Sequence, residues 1–204
     1  MKFIRRDGQK VYPSKIVCIG RNYADHIREL GNKVPKEPVI FLKPNSAINA
    51  GLHSSESDVI HFEGEMSFVI EDGELAGIGF GLDLTKREVQ TSLKARGLPW
   101  ERAKAFDGSA VFSEFVRFAG DVSQLRLELH INDQLVQQGP YELMMYKPDD
   151  ILAEVKSFLS LEDGDVIMTG TPAGVGPVKV GDRFVGKVFE NDTLLVEGEW
   201  VVDS

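Results

Sequence analysis

The sequence predicts an α+β chain in which mixed β-sheet dominates and helices are few and short. Three observations carry that expectation. Short runs rich in Val, Ile, Leu and Phe recur along the whole chain, with the length and composition of strands. Turn signals separate them, among them Asp7-Gly8, Asp72-Gly73, Asn132-Asp133 and Asn191-Asp192. Helix start and stop signals are confined to 24–30, 85–95 and 148–159.

Taken in order, residues 1–15 read as a short extension or hairpin: Phe3-Ile4, a polar turn at 5–8, then Val11-Tyr12. Residues 16–19 form a buried strand that ends at Gly20-Arg21-Asn22-Tyr23. A helix over 24–30 stops at Gly31, and 39–42 is a strand left through Lys43-Pro44. Residues 45–58 read as loop, 61–70 as one strand entering the core, and 77–84 as a glycine-rich strand whose glycines permit close backbone approach. Thr85 and Glu88 form a capping box for a helix that stops near Gly97. Lys104, flanked by apolar residues, is expected to be partly buried. Beyond it come an alternating strand at 125–131, a helix from Pro148 with Ile151, Val155, Phe158 and Leu159 facing the core, a buried strand at 166–168, and two last strands at 183–189 and 194–202. No repeat or linker interrupts the chain, so 1–204 reads as one domain, with 1–15 as a short N-terminal extension.

Composition excludes several function classes. A net charge of −9 argues against nucleic acid and anionic membrane, which reward clustered Lys and Arg. No apolar run is long enough to span a bilayer, and the N-terminus lacks a signal-peptide core. The single cysteine, Cys18, forbids a disulfide framework and fits a reducing, cytoplasmic setting. The glycine spacing at 77–81 lacks the dinucleotide fingerprint, and 169–177 lacks the ending of a phosphate loop.

The chemistry-bearing residues lie elsewhere. A strand has a side-chain period of two, so Glu63 and Glu65 share a face. Taken alone the pair reads as a solvated strand end; a proton, a basic partner or a divalent cation would also neutralise it. Asp83 adds a second acidic strand end just before a helix. His26 and Glu29 lie three apart on a helix, as a surface contact or as a base held by a carboxylate. Arg87 and Gln90 share a face in the same way. The glycine- and threonine-rich loop at 169–177 offers N–H and hydroxyl donors to a carboxylate or carbonyl.

Five ordered motifs carry a family resemblance: Gly20-Arg21-Asn22-Tyr23-Ala24-Asp25-His26, His61-x-Glu63-x-Glu65, residues 82–90, Lys104-Ala105-Phe106 and residues 169–176. Together they resemble the fumarylacetoacetate hydrolase family, on its short acylpyruvate hydrolase and oxaloacetate tautomerase/decarboxylase branch. The resemblance implies a mixed β-sheet roll and a homodimer. It implies Mg²⁺ or Mn²⁺ on Glu63, Glu65 and Asp83, in keeping with three hard oxygen donors and no thiol. It implies substrate contacts at Arg21, Arg87, Gln90 and Thr171, and catalytic roles for His26, Glu29 and Lys104. The activity it implies first is hydrolysis of a carbon–carbon bond in a small 2,4-diketo acid, giving pyruvate and a carboxylic acid. Oxaloacetate decarboxylation or keto–enol tautomerisation on the same 2-oxo acid chelate is the alternative. A catalytically idle ligand-binding homologue is a third reading.

Overall fold

The apolar runs at 16–19 and 166–168 occupy the middle of an eight-stranded sheet, where both faces are covered. The computed structural model describes residues 1–55 and 57–204. The chain opens with the hairpin β1 (Ile4–Arg6) and β2 (Gln9–Val11), then β3 (Lys15–Gly20), helix α1 (Ala24–Glu29), β4 (Val39–Pro44), the short β5 (Ile48–Asn49) and β6 (Leu52–His53), and β7 (Ile60–Phe62). Next come β8 (Gly64–Glu71), β9 (Glu74–Asp83), β10 (Thr85–Lys86), helices α2 (Arg87–Ala95) and α3 (Glu101–Lys104), β11 (Ala110–Phe112) and β12 (Val116–Arg117). The hairpin β13 (Leu125–Ile131) and β14 (Gln134–Pro140) leads to helix α4 (Pro148–Phe158), β15 (Val166–Met168), β16 (Gly176–Pro177), and a last hairpin, β17 (Arg183–Glu190) and β18 (Thr193–Asp203).

The eight-stranded sheet runs β4-β3-β15-β8-β9-β11-β5, with β12 also on β9; a five-stranded sheet runs β14-β13-β17-β18-β6. Both are mixed, since β15–β3, β11–β5 and β18–β6 are parallel and the other pairs antiparallel. The two sheets share one apolar core, in which Phe68, Phe80 and Leu82 meet Leu127, Leu129, Phe184 and Val188. The alternating burial of β13 follows from having one face on that core. The opposite face of the large sheet is covered by Ile151, Leu152 and Val155 of α4. A Cβ at Gly79 would stand 2.9 Å from the Phe115 ring, so glycine there permits close packing, as the sequence suggests.

Several expectations change. Residues 61–70 are not one strand: the chain breaks at Glu63, with β7 in a small sheet (β10-β7-β16) and β8 in the large one. The 85–88 capping box does not form. Thr85 instead pairs with His61 in the small sheet and donates to Asp83 O at 3.2 Å, and α2 starts one residue late for a Thr85 cap. Phe158 is exposed because α4 ends there, while Leu152, not foreseen, faces the core. The 45–58 stretch contains β5 and β6, held by parallel pairing to β11 and β18; residue 56 lies outside the described residues. Among the described residues no helix is long and apolar enough to cross a membrane.

One buried carboxylate ties the N-terminal stretch to the sheet. Asp165 is fully buried and accepts from Ser14 N, Ser14 Oγ, Lys15 N and Glu162 N, while Lys15 Nζ lies 2.5 Å from it. Burial opposes its ionisation, but the hydrogen bonds from Lys15, Glu162 and Ser14 outweigh that and hold the carboxyl below its usual range. A depressed carboxylate contributes stability above its unfolded pKa, near 4, and loses it as pH falls through the folded value. Asp165→Asn should therefore cost about 3 kcal/mol at pH 7. It should also flatten the acid limb of the stability curve. Urea denaturation at pH 7 and pH 3 reads both effects.

Candidate active site

Three carboxylates converge where the two-sheet frame meets the small sheet. Glu63 sits at the break between β7 and β8, Glu65 on β8, and Asp83 at the end of β9. The hydrogen bond from Asp83 N to Glu63 O (2.9 Å) locks the two strand ends together. One oxygen from each carboxylate lies within 4.8 Å of the others. The solvated strand end is overturned, because the three residues are only 6, 1 and 1% exposed.

Basic partners account for part of the buried charge. Lys104, on α3, is fully buried and donates to Glu63 Oε2 (2.8 Å) and Asp83 Oδ2 (2.5 Å). Burial opposes its charge, but Asp83 and Glu63 prevail and push its pKa up, so it stays protonated. Arg87, at the start of α2, places Nη2 2.5 Å from Glu63 Oε1 and donates Nη1 to Gln90 Oε1 at 2.9 Å. Burial works against ionisation of Glu63, but Lys104 and Arg87 hold its carboxyl well below the usual range.

Lys43, which sequence reasoning leaves at a strand exit, is fully buried. Its Nζ lies 2.8 Å from Asp83 Oδ1 without the alignment of a hydrogen bond, and donates to the carbonyls of Leu84 and Lys104. No simple alternation betrays it: on β4 the apolar Leu42 points out and Lys43 points in.

Glu65 has no cationic partner among the described residues. It accepts one hydrogen bond, from Gly170 N at 2.8 Å. Burial, then the charges of Asp83 and Glu63, push its carboxyl well above the usual range. Gly170 has φ +97° and a Cβ there would meet Asn22 Cβ at 2.7 Å, so this donor requires glycine. A buried, charge-frustrated carboxylate, an Asp83 oxygen without a hydrogen bond and converging hard oxygens fit a divalent cation of the Mg²⁺/Mn²⁺ type.

The other predicted residues gather around this floor. Arg21, His26, Glu63, Arg87, Gln90 and Lys104 line one cleft. Glu29 accepts from His26 Nδ1 (3.2 Å) through one oxygen and from Gly174 N (3.0 Å) through the other. A carboxylate accepts, so Nδ1 is the donor, and in the neutral ring that leaves the lone pair on Nε2. Glu29 thus ties α1 to the 169–177 loop.

Two further residues escape sequence reasoning. Asn22 is fully buried; its Nδ2 donates to Thr169 O and Tyr146 O, and its Oδ1 accepts from Tyr146 N. Gln137, on β14, accepts from Gly64 N at 2.9 Å and donates to Thr171 Oγ1 at 2.8 Å, joining the glutamate pair to the loop. Thr171 is buried beside that amide and does not line the cleft.

Comparisons with known proteins agree with this geometry. The fumarylacetoacetate (FAA) hydrolase C-terminal family matches residues 15–202. Oxaloacetate tautomerase YcgM of Escherichia coli is 42% identical over 192 residues, covering 84% of this chain and 87% of that protein. A structure from Oleispira antarctica, described as a candidate fumarylacetoacetate isomerase/hydrolase, superposes with a TM-score of 0.93 at 38% identity, with both chains fully covered. Fumarylpyruvate hydrolase from Pseudomonas aeruginosa, solved with Mn²⁺ and pyruvate, superposes with a TM-score of 0.85 at 26% identity, covering 98% of this chain and 96% of that one. With this sheet architecture, this acidic floor and a family match over nearly its whole length, the chain belongs to the fumarylacetoacetate hydrolase family.

Proposed function

We propose that this protein is a divalent-metal-dependent enzyme that interconverts the keto and enol forms of oxaloacetate. One observation carries the reading: a single cleft pairs a lysine held protonated between two carboxylates with a histidine whose Nδ1 proton is fixed by Glu29. Moving one proton between carbon and oxygen needs a stationary cation and one exchangeable base. The likeness to an E. coli oxaloacetate tautomerase supports the same reaction over the hydrolysis that the motifs suggest first.

Glu63, Glu65 and Asp83 would hold the cation, which supplies Lewis acidity beside a 2-oxo acid. His26 Nε2 takes a proton from C3 of the keto form. The C–H electron pair becomes the C2=C3 bond, and the carbonyl π pair moves onto the C2 oxygen. His26 then returns the proton to that oxygen; the reverse sequence regenerates the ketone. Lys104 spends two N–H groups on Glu63 and Asp83, leaving a third for the charge that develops on oxygen. Arg87 and Gln90 contribute carboxylate donors from the cleft wall. Thr171, expected to touch substrate, lies behind the cleft wall, where it accepts from Gln137 and holds the 169–177 loop against the glutamate pair.

A second reading, hydrolysis of a 2,4-diketo acid, is favoured by the likeness to fumarylpyruvate hydrolase. There His26 deprotonates a water that attacks C4; the C3–C4 bond then breaks with its electron pair passing to C3, and the resulting enolate takes the proton back from His26 and leaves as pyruvate. Side-by-side turnover of enol-oxaloacetate and fumarylpyruvate with Mg²⁺ decides between them. Faster conversion of oxaloacetate is the expected result, and turnover of fumarylpyruvate alone would reverse the assignment.

The metal assignment has its own test. Losing groups behind a ligand costs 10–100-fold in metal affinity, so Glu65→Ala should weaken Mn²⁺ binding by at least about a hundredfold in calorimetry. Unchanged affinity would remove Glu65 from the ligand set. We also propose a homodimer, because β4 and β14 leave open sheet edges; a monomeric mass in light scattering would refute it. The free, buried Cys18 supports a reducing, cytoplasmic location, which fractionation of cells producing the protein would test.

A further inference from the structure

The cleft holds more positive charge than its carboxylates balance. Lys94 lies four residues beyond Gln90 and seven beyond Arg87 on α2, so it shares their helix face and lines the same cleft. It forms no ion pair among the described residues, and its Nζ stands 5.0 Å from the centroid of the Trp100 ring. Arg21, across the cleft, makes one long hydrogen bond, Nη2 to Asn32 Oδ1 at 3.3 Å, and its buried Nε has no partner. Arg87 Nε is buried and unpartnered as well. Arg21 also has a φ of +59°, a sparsely populated conformation for a side-chain-bearing residue that is found at ligand clamps.

Among the described residues Glu63 is the one carboxylate on the cleft wall, and Lys104 and Arg87 already engage it. Arg21 and Lys94 are left lining the same cleft without a counter-anion among the described residues. Burial, with Arg21 and Arg87 nearby, brings the pKa of Lys94 down to about 8, so it is mostly charged at neutral pH. An anion between them would relieve the repulsion and satisfy the Arg21 Nε–H.

We infer that Lys94 and Arg21 form a subsite for the second carboxylate of a dianionic substrate, making Lys94 a residue that selects dicarboxylic 2-oxo acids over monoanionic ones. The inference rests on the reading of this cleft as a 2-oxo acid site and adds to it the residues that read the second carboxylate. The competing view makes Lys94 a lysine that merely shields Trp100. It gives no reason for charge-dependent ligand preference.

The probes are a 3,3-difluoro analogue of oxaloacetate, which keeps both carboxylates but has no C3 hydrogen to transfer, and pyruvate, the monoanion. Each is titrated calorimetrically at pH 7 into the Mg²⁺-loaded protein. Lys94→Met should weaken the dianion by about ten- to a hundredfold, the size of a lost charged contact, and leave pyruvate within about twofold. Lys94→Arg should restore most of the preference. Equal losses for both probes, or no loss for the dianion, would overturn the subsite. Because the analogue cannot enolise, a Lys94-dependent dianion preference without oxaloacetate turnover would sink the tautomerase reading and leave the subsite standing. Turnover without that preference would do the opposite.

Discussion

Lys104→Met should lower oxaloacetate turnover by about a thousandfold, the upper range for removing one donor aimed at developing charge. Buried Lys104 joins Glu63 to Asp83, and its Nζ, at the end of the methylene stem, stands 5.1 Å from the centroid of the Phe41 ring. Methionine keeps most of that stem and removes the charge. Glu63 and Asp83 then face each other across a dry space, beside an already frustrated Glu65. Breaking a buried ion pair from one side costs about 3–5 kcal/mol, so the metal-free variant should melt well below the parent. Added Mg²⁺ should raise its melting temperature more than the parent's, because the cation replaces the missing positive charge. Turnover within tenfold of the parent would contradict the role given to Lys104. An unchanged metal-free melting temperature would contradict the electrostatic reading of the cluster.

His26→Ala should lower turnover by about 10²–10⁴-fold, the usual range for a lost general base. Metal affinity should not change, since His26 is not among the three ligands. Glu29→Gln should act in the same direction and less strongly. It keeps an acceptor for His26 Nδ1 and Gly174 N but removes the charge that supports the imidazolium. The pair of variants separates two views of α1. As a structural latch, Glu29 would matter as much as His26 to thermal stability. As a proton-transfer dyad, both variants act on turnover while the melting temperature stays near the parent's. Exogenous imidazole, small enough to enter a cleft emptied by His26→Ala, should recover part of the rate.

How far the sequence discloses this molecule depends on what kind of physics sets each feature. The central strands were legible because burial on both faces leaves uninterrupted apolar runs, as at 16–19 and 166–168. The alternation of β13 and the N1 proline of α4 were legible for similarly local reasons. The strand period alone reads Glu63 and Glu65 as a solvated pair, and the strand breaks between two sheets at Glu63 itself; the family motifs, not the period, point to them as a site. Asp83 reads from the sequence only as an acidic strand end, and the motifs again, rather than the 85–88 capping box that does not form, point to it as the third member. Partners supplied from distant elements were not legible. Lys43 reaches Asp83 from β4 with its neighbour Leu42 turned outward, opposite to what hydropathy suggests. Gln137 reaches Gly64 and Thr171 from the other sheet. Thr85 has the spacing of a cap, but its pairing with His61 takes it into a strand. In each case a long-range contact decides the role, and local pattern carries no record of it.

Proton exchange at C3 of oxaloacetate in deuterated water, followed by NMR with the Mg²⁺-loaded protein, measures the proposed chemistry at the atom where it occurs. The parent should wash deuterium into C3 far faster than buffer with Mg²⁺ alone, and His26→Ala should return the rate to near that background. Exchange no faster than buffer in the parent, with pyruvate released briskly from fumarylpyruvate, would contradict enolisation of oxaloacetate as the reaction of this site.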